Sequence, residues 1–191
     1  MMKSLQFCKN AFGHLRNILI HKYWVYYFGR KLGIGRWRLI KHDISKFSFT
    51  EFIESVKYYQ GTSSPIPVCK KINGYSKAWQ HHKGRNQHHY EYWTDNYDSG
   101  MTLIPMPFEC LEEMIADWCA AGRTYQGKEW SFSSQCDWWE NKKKQNPSIH
   151  DLTKERLDIF FWKHISNPFE WWKDMRDQIK IKYERDIIFN D

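Results

Sequence analysis

The hydrophobic positions along this chain recur mainly at helical spacing. Within residues 12–32, Ile18, Val25 and Phe28 follow one another at intervals of seven and three residues, which is the pattern of a helix with one apolar face. Gly33 comes directly after this segment, and glycine is the usual residue beyond the last turn of a helix. The pattern therefore predicts a long first helix that ends immediately before Gly33.

Polar capping residues mark the starts of two further helices. Ser48 and Glu51 have the S-x-x-E spacing of a capping box, which predicts a helix start at this point. Ser76 is placed to cap another helix, and Gly84 to end it. Between these helices, residues 61–75 carry two prolines, two glycines and three Ser or Thr residues. Such a composition is typical of a loop.

The most regular amphipathic segment covers residues 108–121, where apolar side chains recur on one side. An irregular stretch, residues 98–107, precedes it, and Gly122 is expected to end it. Asp117 is the exception in this helix, because its neighbours at helical spacing place the carboxylate toward or beside the apolar face. A buried carboxylate needs a cation or several hydrogen-bond donors, and a metal ion is one source of such charge.

The last third of the chain is expected to support the rest. Residues 142–144 form a basic run, which predicts a solvated surface. A helix is predicted over about residues 151–165, and a final amphipathic helix follows Pro168. Neither an internal repeat nor a low-complexity linker divides the chain. We therefore expect an all-α, single-domain helical bundle with a core over about residues 12–123 and peripheral C-terminal helices over residues 124–191.

Composition narrows the class of protein. The chain has 191 residues, enough for one sizeable core. Its 29 Lys and Arg residues against 22 Asp and Glu give a formal charge of +7, which suits an anionic partner such as a phosphate-bearing substrate. Aromatic residues make up 18% of the chain, and their spread along it favours core packing over a surface that stacks bases.

Cysteine usage and the start of the chain predict the compartment. Five cysteines are scattered without a Cys-x-x-Cys pair, so neither a disulfide framework nor a zinc ribbon is predicted. The first residues hold no uninterrupted apolar segment with a small-residue cleavage site, and the chain has no run of about 18 apolar residues. These features predict a soluble, cytoplasmic protein without a membrane partner.

Histidines are concentrated in the segment SKAWQHHKGRNQHHYEYW, residues 76–93. Four of them lie within nine residues: His81, His82, His88 and His89. The cluster indicates either a metal site or an adhesive surface loop. Other unusual positions are His21 in the apolar stripe of the first helix, the adjacent pair His42 and Asp43, and Asp117. A lone histidine on an apolar face is more often a core residue than a ligand. A metal site is therefore predicted from all of these positions taken together, in their order along the chain, and not from His21 alone.

In this order the residues resemble those of the HD-domain metal-dependent phosphohydrolases. In that superfamily a histidine on one helix, a His-Asp pair at the next and an aspartate on a late helix hold a divalent metal. Histidines in between hold a second metal when there is one. The segment HDISK, residues 42–46, resembles the His-Asp-x-x-Lys form of many such enzymes, and DWCAA around Asp117 resembles the late aspartate. The resemblance implies an HD-domain-like helical bundle.

The resemblance also implies one or two divalent transition-metal ions, since mixed histidine and carboxylate ligands suit Mn, Fe, Co, Ni or Zn. The implied metal ligands are His21, His42, Asp43, His82, His89 and Asp117. Catalytic roles are expected for Asp43, Lys46 and His88, and phosphate binding for Lys46, Lys83, Arg85 and Asn86. Glu91 and Glu113 are expected to support ligand histidines as second-sphere acceptors, and His81 to be a bystander. The assignment of histidines within the cluster stays open, because Gly84 interrupts their helix.

The reaction implied by the resemblance is the hydrolysis of a small phosphate ester by a metal-activated water. A nucleotide is the expected substrate. Nucleic acid is a less favoured partner.

A closer resemblance covers about residues 14–165. Segments such as KHDISKFSFTEFIESVKYYQG, GYSKAWQHHKGRNQHHYEYW and EMIADW are similar to a family of uncharacterised proteins from phages and Gram-positive bacteria. This resemblance implies that the protein acts in the cytoplasm of a bacterium or of a phage-infected host cell. It implies no established activity. Some members carry the label catalase. A dimanganese catalase would use Glu-x-x-His pairs, and no glutamate in this chain is followed three residues later by histidine; a haem-ligand signature is also lacking.

Three alternatives stay open. The segment HHKGRNQHH has the histidine and asparagine content of a small metal-dependent endonuclease, and a basic chain would bind nucleic acid through its phosphates. That motif normally lies on a hairpin, however, and no strand pair is predicted here. A non-catalytic helical binding protein would use its aromatic surface to meet a partner and its histidines for packing. A di-iron oxygenase on the same HD-type scaffold is the third alternative.

Overall fold

The computed structural model describes residues 4–98, 100–145, 147–162 and 166–190. Within these ranges the chain is all-α apart from one short hairpin, as the sequence predicts. The helices are α1 (Ser4–Leu32), α2 (Arg36–Lys41), α3 (Phe49–Lys57), α4 (Pro65–Asn73), α5 (Lys77–Lys83), α6 (Phe108–Gln126), α7 (Phe132–Lys144), α8 (Asp151–Phe160) and α9 (Pro168–Asn190). Strands β1 (Thr94–Tyr97) and β2 (Gly100–Leu103) pair antiparallel, with Thr94 opposite Leu103. Short 3₁₀ turns cover Ile44–Phe47, Tyr90–Tyr92 and Gly127–Glu129.

One hydrophobic core joins the N-terminal and C-terminal parts of the chain. Helices α1 and α6 pack against each other along their apolar faces, and α9 packs against α1. Trp139 of α7, Phe160 of α8 and Trp172 of α9 are fully buried in the same cluster as Leu32 and Met114. The C-terminal helices therefore contribute central packing, whereas the sequence predicted that they are peripheral.

Aromatic side chains fill much of this core. The rings of Phe108 and Trp172 are stacked with centroids 6.0 Å apart, and Trp118 stacks on Trp139 at 5.7 Å. Offset contacts of this kind add to the free energy gained by burial. The expectation that most aromatics serve packing fits these contacts, although Trp37 and Phe49 are exposed.

Most helix boundaries follow the local signals. Helix α1 ends before Gly33, whose φ of 90° is in the left-handed region, although it begins at Ser4 and so earlier than its apolar pattern. Ser48 and Ser76 accept hydrogen bonds from the backbone N–H groups of Glu51 and Trp79. Residues 163–165, the end of the helix predicted to reach residue 165, lie outside the described residues.

Two segments predicted to be irregular contain regular secondary structure. Residues 65–73 form α4 because Ser64 caps it and Pro65 occupies its first turn, where a proline costs no hydrogen bond. Residues 98–107, predicted to be irregular, include strand β2 (Gly100–Leu103), which pairs with β1, whereas residues 104–107 are irregular as predicted. The prolines and glycines thus mark helix ends and turns here, not a continuous loop.

The sequence predicted that Gly122 ends its helix, but this residue lies inside α6. A Cβ at this position would lie 2.5 Å from Oε1 of Gln135 and 2.6 Å from Nε1 of Trp130. The glycine therefore allows close packing. The basic run is also only partly solvated, because the Lys142 ammonium lies 5.0 Å from the ring centroid of Tyr90 and 5.8 Å from that of Trp118.

None of the helices in the described ranges is both long and apolar enough to cross a membrane.

Candidate metal centre

A sharp turn between α2 and α3 presents the pair His42 and Asp43 to the interior. Asp43 has φ 57° and ψ 23°, a left-handed conformation in which aspartate and asparagine are enriched among non-glycine residues. The Lys22 ammonium of α1 donates hydrogen bonds to the carbonyls of Ile40 and His42 and so ties this turn to α1. Lys46 follows on the 3₁₀ turn.

A first group of possible metal ligands consists of His21, His42, Asp43 and Asp117, all buried, with one donor atom of each within 4.8 Å of the others. Nε2 of His21 lies 2.9 Å from Oδ1 of Asp117 and 3.4 Å from Oδ2 of Asp43. Nε2 of His42 lies 3.2 Å from the same Oδ2 and 3.3 Å from Oδ1 of Asp117. Helices α1 and α6 and the turn after α2 thus meet at one point.

A second group consists of Asp43, His82, His88 and His89, under the same distance limit. Oδ1 of Asp43 lies 3.2 Å from Nε2 of His82 and 3.4 Å from Nε2 of His88. The rings of His88 and His89 lie 4.3 Å apart. Asp43 therefore faces the first group with Oδ2 and the second with Oδ1, so one carboxylate joins two adjacent sets of donors.

Several donor atoms of these groups are buried without a hydrogen-bond partner. They are Nε2 of His42, His88 and His89 and both carboxylate oxygens of Asp43. The Lys46 ammonium lies 2.5 Å from Oδ2 of Asp43 as an ion pair, without the direction of a hydrogen bond. Most buried polar groups in proteins are hydrogen-bonded, and exceptions call for an explanation such as an ion. The donor set fits a divalent cation on these grounds.

Two buried glutamates hold histidines of the two groups. Nδ1 of His42 lies 2.8 Å from Oε1 of Glu113, whose other oxygen accepts a hydrogen bond from Arg38. Nδ1 of His82 lies 2.8 Å from Oε2 of Glu51. A carboxylate on Nδ1 fixes the tautomer and leaves Nε2 free to bind a metal. The hydrogen bond predicted for Glu113 is present, whereas Glu51 was assigned only to a capping box.

Nearby cationic and hydrogen-bonding groups keep the buried carboxylates of Asp43 and Asp117 ionised. Burial alone would raise the pKa of Asp43, but the positive charges of His42, Lys46 and His82 hold it well below its ordinary value. For Asp117, the hydrogen bond from His21 and the nearby His42, whose Nε2 lies 3.3 Å from Oδ1, likewise outweigh burial and lower the pKa. Both carboxylates are therefore ionised near neutral pH, as metal binding requires.

His89 and His81 differ in their surroundings. Burial lowers the pKa of His89 well below its ordinary value, and the neighbouring His88 lowers it further. His89 is therefore neutral near pH 7, the state in which imidazole binds metal. His81 lies outside both groups, where its Nδ1 is 2.6 Å from Oε1 of Glu51.

Three residues predicted to bind phosphate, Lys83, Arg85 and Asn86, do not line the cavity beside the donor groups. Arg85 is exposed. The Asn86 amide donates hydrogen bonds to Oγ of Ser45 at 2.8 Å and to the carbonyl of His82 at 2.7 Å. The structure therefore gives Asn86 a role in positioning the end of α5, because its amide is already engaged.

Glu91 also differs from its predicted role. Its Oε2 is buried without a hydrogen-bond partner, but its electrostatic neighbours are Tyr90 and Lys142. Among the described residues, no hydrogen bond or ion pair joins Glu91 to a histidine of the two donor groups. His88 belongs to the second donor group itself, and its Nδ1 lies 3.5 Å from Oε1 of Glu113. His88 is thus placed among the possible metal ligands, and the catalytic role expected for it stays a prediction.

A cavity of about 190 Å³ opens beside both groups. His21, His82, His89 and Asp117 line the end beside the donor groups, together with Lys46, whose ammonium lies 2.5 Å from Oδ2 of Asp43. The walls come from four helices, α1, α3, α5 and α6, and from the N-terminus of α4. The wall residues are His14, Asn17, Ile18, Glu51, Ser55, Ser64, Pro65, Ile66, Ala78, Trp79, Ala121 and Tyr125. A small molecule in the cavity would therefore lie next to the candidate metal ligands.

Comparison with known proteins gives a family but no activity. Residues 10–162 match the family of unknown function DUF5662. Neither the curated proteins nor the solved structures give a significant match. The matched range includes every member of both donor groups and most of the core. The chain belongs to the DUF5662 family of unknown function.

Proposed function

We propose that this protein is a metal-dependent phosphohydrolase that acts on a small phosphate ester, with a nucleotide as the expected substrate. One observation carries the proposal: two groups of His and Asp donors share Asp43, and members of both groups line a cavity together with Lys46. Two metals that share a carboxylate are a recurring arrangement in enzymes that displace phosphoryl groups. The HD-domain resemblance of the His-Asp pair agrees with this proposal.

The residues would divide the work as follows. His21, His42, Asp43 and Asp117 would hold one divalent ion, and His82, His88 and His89 a second one together with Asp43. Mixed imidazole and carboxylate ligands favour Mn²⁺, Fe²⁺, Co²⁺, Ni²⁺ or Zn²⁺. A bound ion would supply a nucleophile by lowering the pKa of water and would offset charge on the phosphoryl oxygens.

Lys46 would bind the substrate phosphate. Burial alone would lower its pKa, but the charges of Asp43 and Asp117 raise the pKa above its ordinary value. The side chain is therefore cationic at any pH at which the enzyme would work. A fixed cation beside the reacting group stabilises the transition state most where water is excluded.

The shared carboxylate also favours one alternative chemistry. Two histidine-rich groups joined by Asp43 would accept two iron ions, and a di-iron oxygenase would use the same ligands. Iron content, colour and oxygen consumption separate the two functions. The nuclease alternative lacks such support, because the hairpin residues 94–97 and 100–103 contain no histidine.

The test begins with metal analysis of protein purified without a histidine tag. We expect stoichiometric transition metal in the wild type, measured by inductively coupled plasma mass spectrometry, and its loss in His42→Ala. Hydrolysis of p-nitrophenyl phosphate and of nucleotides is then assayed with Mn²⁺, Co²⁺, Ni²⁺ or Zn²⁺ restored. Stoichiometric metal without hydrolysis of any phosphate ester would contradict the proposal, and so would activity that persists in His42→Ala.

A further inference from the structure

We propose that the cavity selects a phosphate monoester with a compact, uncharged organic group and discriminates against diphosphates and triphosphates. This inference rests on the proposed function, because it takes the donor groups as the place where the phosphoryl group binds. It goes further in that the walls of the cavity, rather than the donors, decide the class of ligand.

Charge is confined to the end of the cavity that holds the donor groups. Among the described residues that line it, Lys46 is the one lysine or arginine. Two carboxylates also line the cavity, and both already have partners. Asp117 belongs to the first donor group, and Glu51 accepts hydrogen bonds from His81 and His82. The cations that could neutralise phosphate are thus Lys46 and the bound metals.

The remaining wall is uncharged near neutral pH. Burial lowers the pKa of His14 to about 4, and the charge of Lys46 adds to the effect. Burial raises the pKa of Tyr125, so this phenol keeps its proton. Asn17 offers a neutral amide, and Ile66 and Trp79 offer apolar surface.

This distribution of charge discriminates by phosphate number. A phosphate monoester carries about two negative charges, which Lys46 and the metals would neutralise while its organic group lies along the uncharged wall. A second or third phosphate would lie against that wall without cations, and burying unpaired charge is costly. The volume of about 190 Å³ is below the roughly 300–1,000 Å³ of typical ligand pockets, which also favours a compact ligand.

The experiment measures binding separately from hydrolysis. Protein loaded with Mn²⁺ is titrated calorimetrically, at constant free Mn²⁺, with adenosine 5′-O-thiomonophosphate and with the methylene analogues of ADP and ATP, which resist hydrolysis. We expect the monophosphate to bind at least about tenfold more tightly than the triphosphate. Phenyl phosphate is assayed beside AMP as a more compact monoester.

A charge introduced into the wall provides the matched test. Asn17 lines the cavity, and among the described residues its amide donates one hydrogen bond, to the carbonyl of Gly61 at 3.3 Å. Asn17→Lys should therefore narrow or reverse the preference for the monophosphate. Leu19 lies on the same helix, is 54% exposed and does not line the cavity, so Leu19→Lys should leave the preference unchanged.

The outcomes separate this inference from the proposed function. Equal or tighter binding of the triphosphate by wild-type protein would overturn the inference even if ATP is hydrolysed. Failure of all three analogues to bind the Mn²⁺-loaded protein would also overturn it. If the monophosphate binds preferentially but no ester is hydrolysed, the selectivity stands and the phosphohydrolase proposal fails.

Discussion

Glu112 and Glu113 are neighbours in α6, yet their carboxylates stabilise different parts of the protein. Oε1 and Oε2 of Glu112 each lie 2.8 Å from a nitrogen of Arg176 in α9, and Oε1 also accepts a hydrogen bond from Trp172. Glu113 instead accepts a hydrogen bond from His42. Successive residues of a helix point in directions about 100° apart, so one helix serves both the core and the metal centre.

The two glutamates should therefore separate stability from metal binding. Burial raises the pKa of Glu112, because the hydrogen bonds from Arg176 and Trp172 only partly offset desolvation. Glu112→Ala leaves those two donors without their acceptor and should lower the free energy of unfolding by about 2–4 kcal/mol. Urea denaturation of metal-free protein measures this change. The affinity for metal, measured by chelator competition, should stay within about twofold of wild type.

Glu113→Ala should weaken metal binding more than Glu112→Ala does. It removes the acceptor that orients His42, and loss of such a partner typically weakens metal binding by about 10–100-fold. The same chelator competition measures the effect, with Glu112→Ala as the matched control. Equal metal affinities in the two variants would contradict the assigned role of Glu113.

Asp43→Asn should remove metal from both groups, because each uses one oxygen of this carboxylate. Asparagine is the substitution of choice, since it tolerates the left-handed backbone at φ 57° better than alanine does. We expect the transition-metal content to fall below about a tenth of wild type, with circular dichroism showing an unchanged helical signal. Full metal occupancy in this variant would contradict the assignment of the centre.

Glu51→Gln should weaken the second group selectively. It removes the charged acceptor at 2.8 Å from Nδ1 of His82, while the first group keeps Glu113. The second equivalent of metal should bind about 10–100-fold more weakly, as measured by the stoichiometry at limiting free metal. Glu54→Gln is the control, because Glu54 accepts hydrogen bonds from Ser76 and from the backbone of α5 and contacts neither donor group. Equal loss of both equivalents would argue against separate support for His82.

His14 should make stability depend on pH between about 6.5 and 4. Its pKa is lowered from 6.5 to about 4 by burial, with a smaller effect of the charge of Lys46. Between these values the unfolded chain binds more protons than the folded protein, so stability is greatest above pH 6.5 and declines as the pH falls. At about 1.4 kcal/mol per pKa unit, the contribution is at most about 3 kcal/mol.

Comparison with His14→Gln isolates this contribution from that of other titrating groups. The variant should lose less stability than wild type between pH 7 and pH 4 in urea denaturation of metal-free protein. Parallel pH profiles of the two proteins would show that His14 does not titrate as the structure indicates.

Local sequence determined most of the helices, because their ends depend on residues a few positions apart. The helix ends at Gly33 and Gly84 and the starts after Ser48 and Ser76 follow from backbone preferences and caps. Asp117 could be singled out because a carboxylate beside an apolar face is costly. The misjudged segment at residues 61–75 shows that the same prolines and glycines that form loops can also delimit a short helix.

Only the tertiary structure decided how the polar side chains are paired. The partners Glu51 and His82 are 31 residues apart, and His42 and Glu113 are 71 apart, so no periodicity links them. Lys83, Arg85 and Asn86 were predicted to bind phosphate because they lie between the clustered histidines in the sequence. In the structure, the packing of α5 leaves Arg85 exposed and engages Asn86 in hydrogen bonds. The sequence supplied the donor residues; the packing of α1, α5 and α6 around the Asp43 turn determined which of their atoms meet.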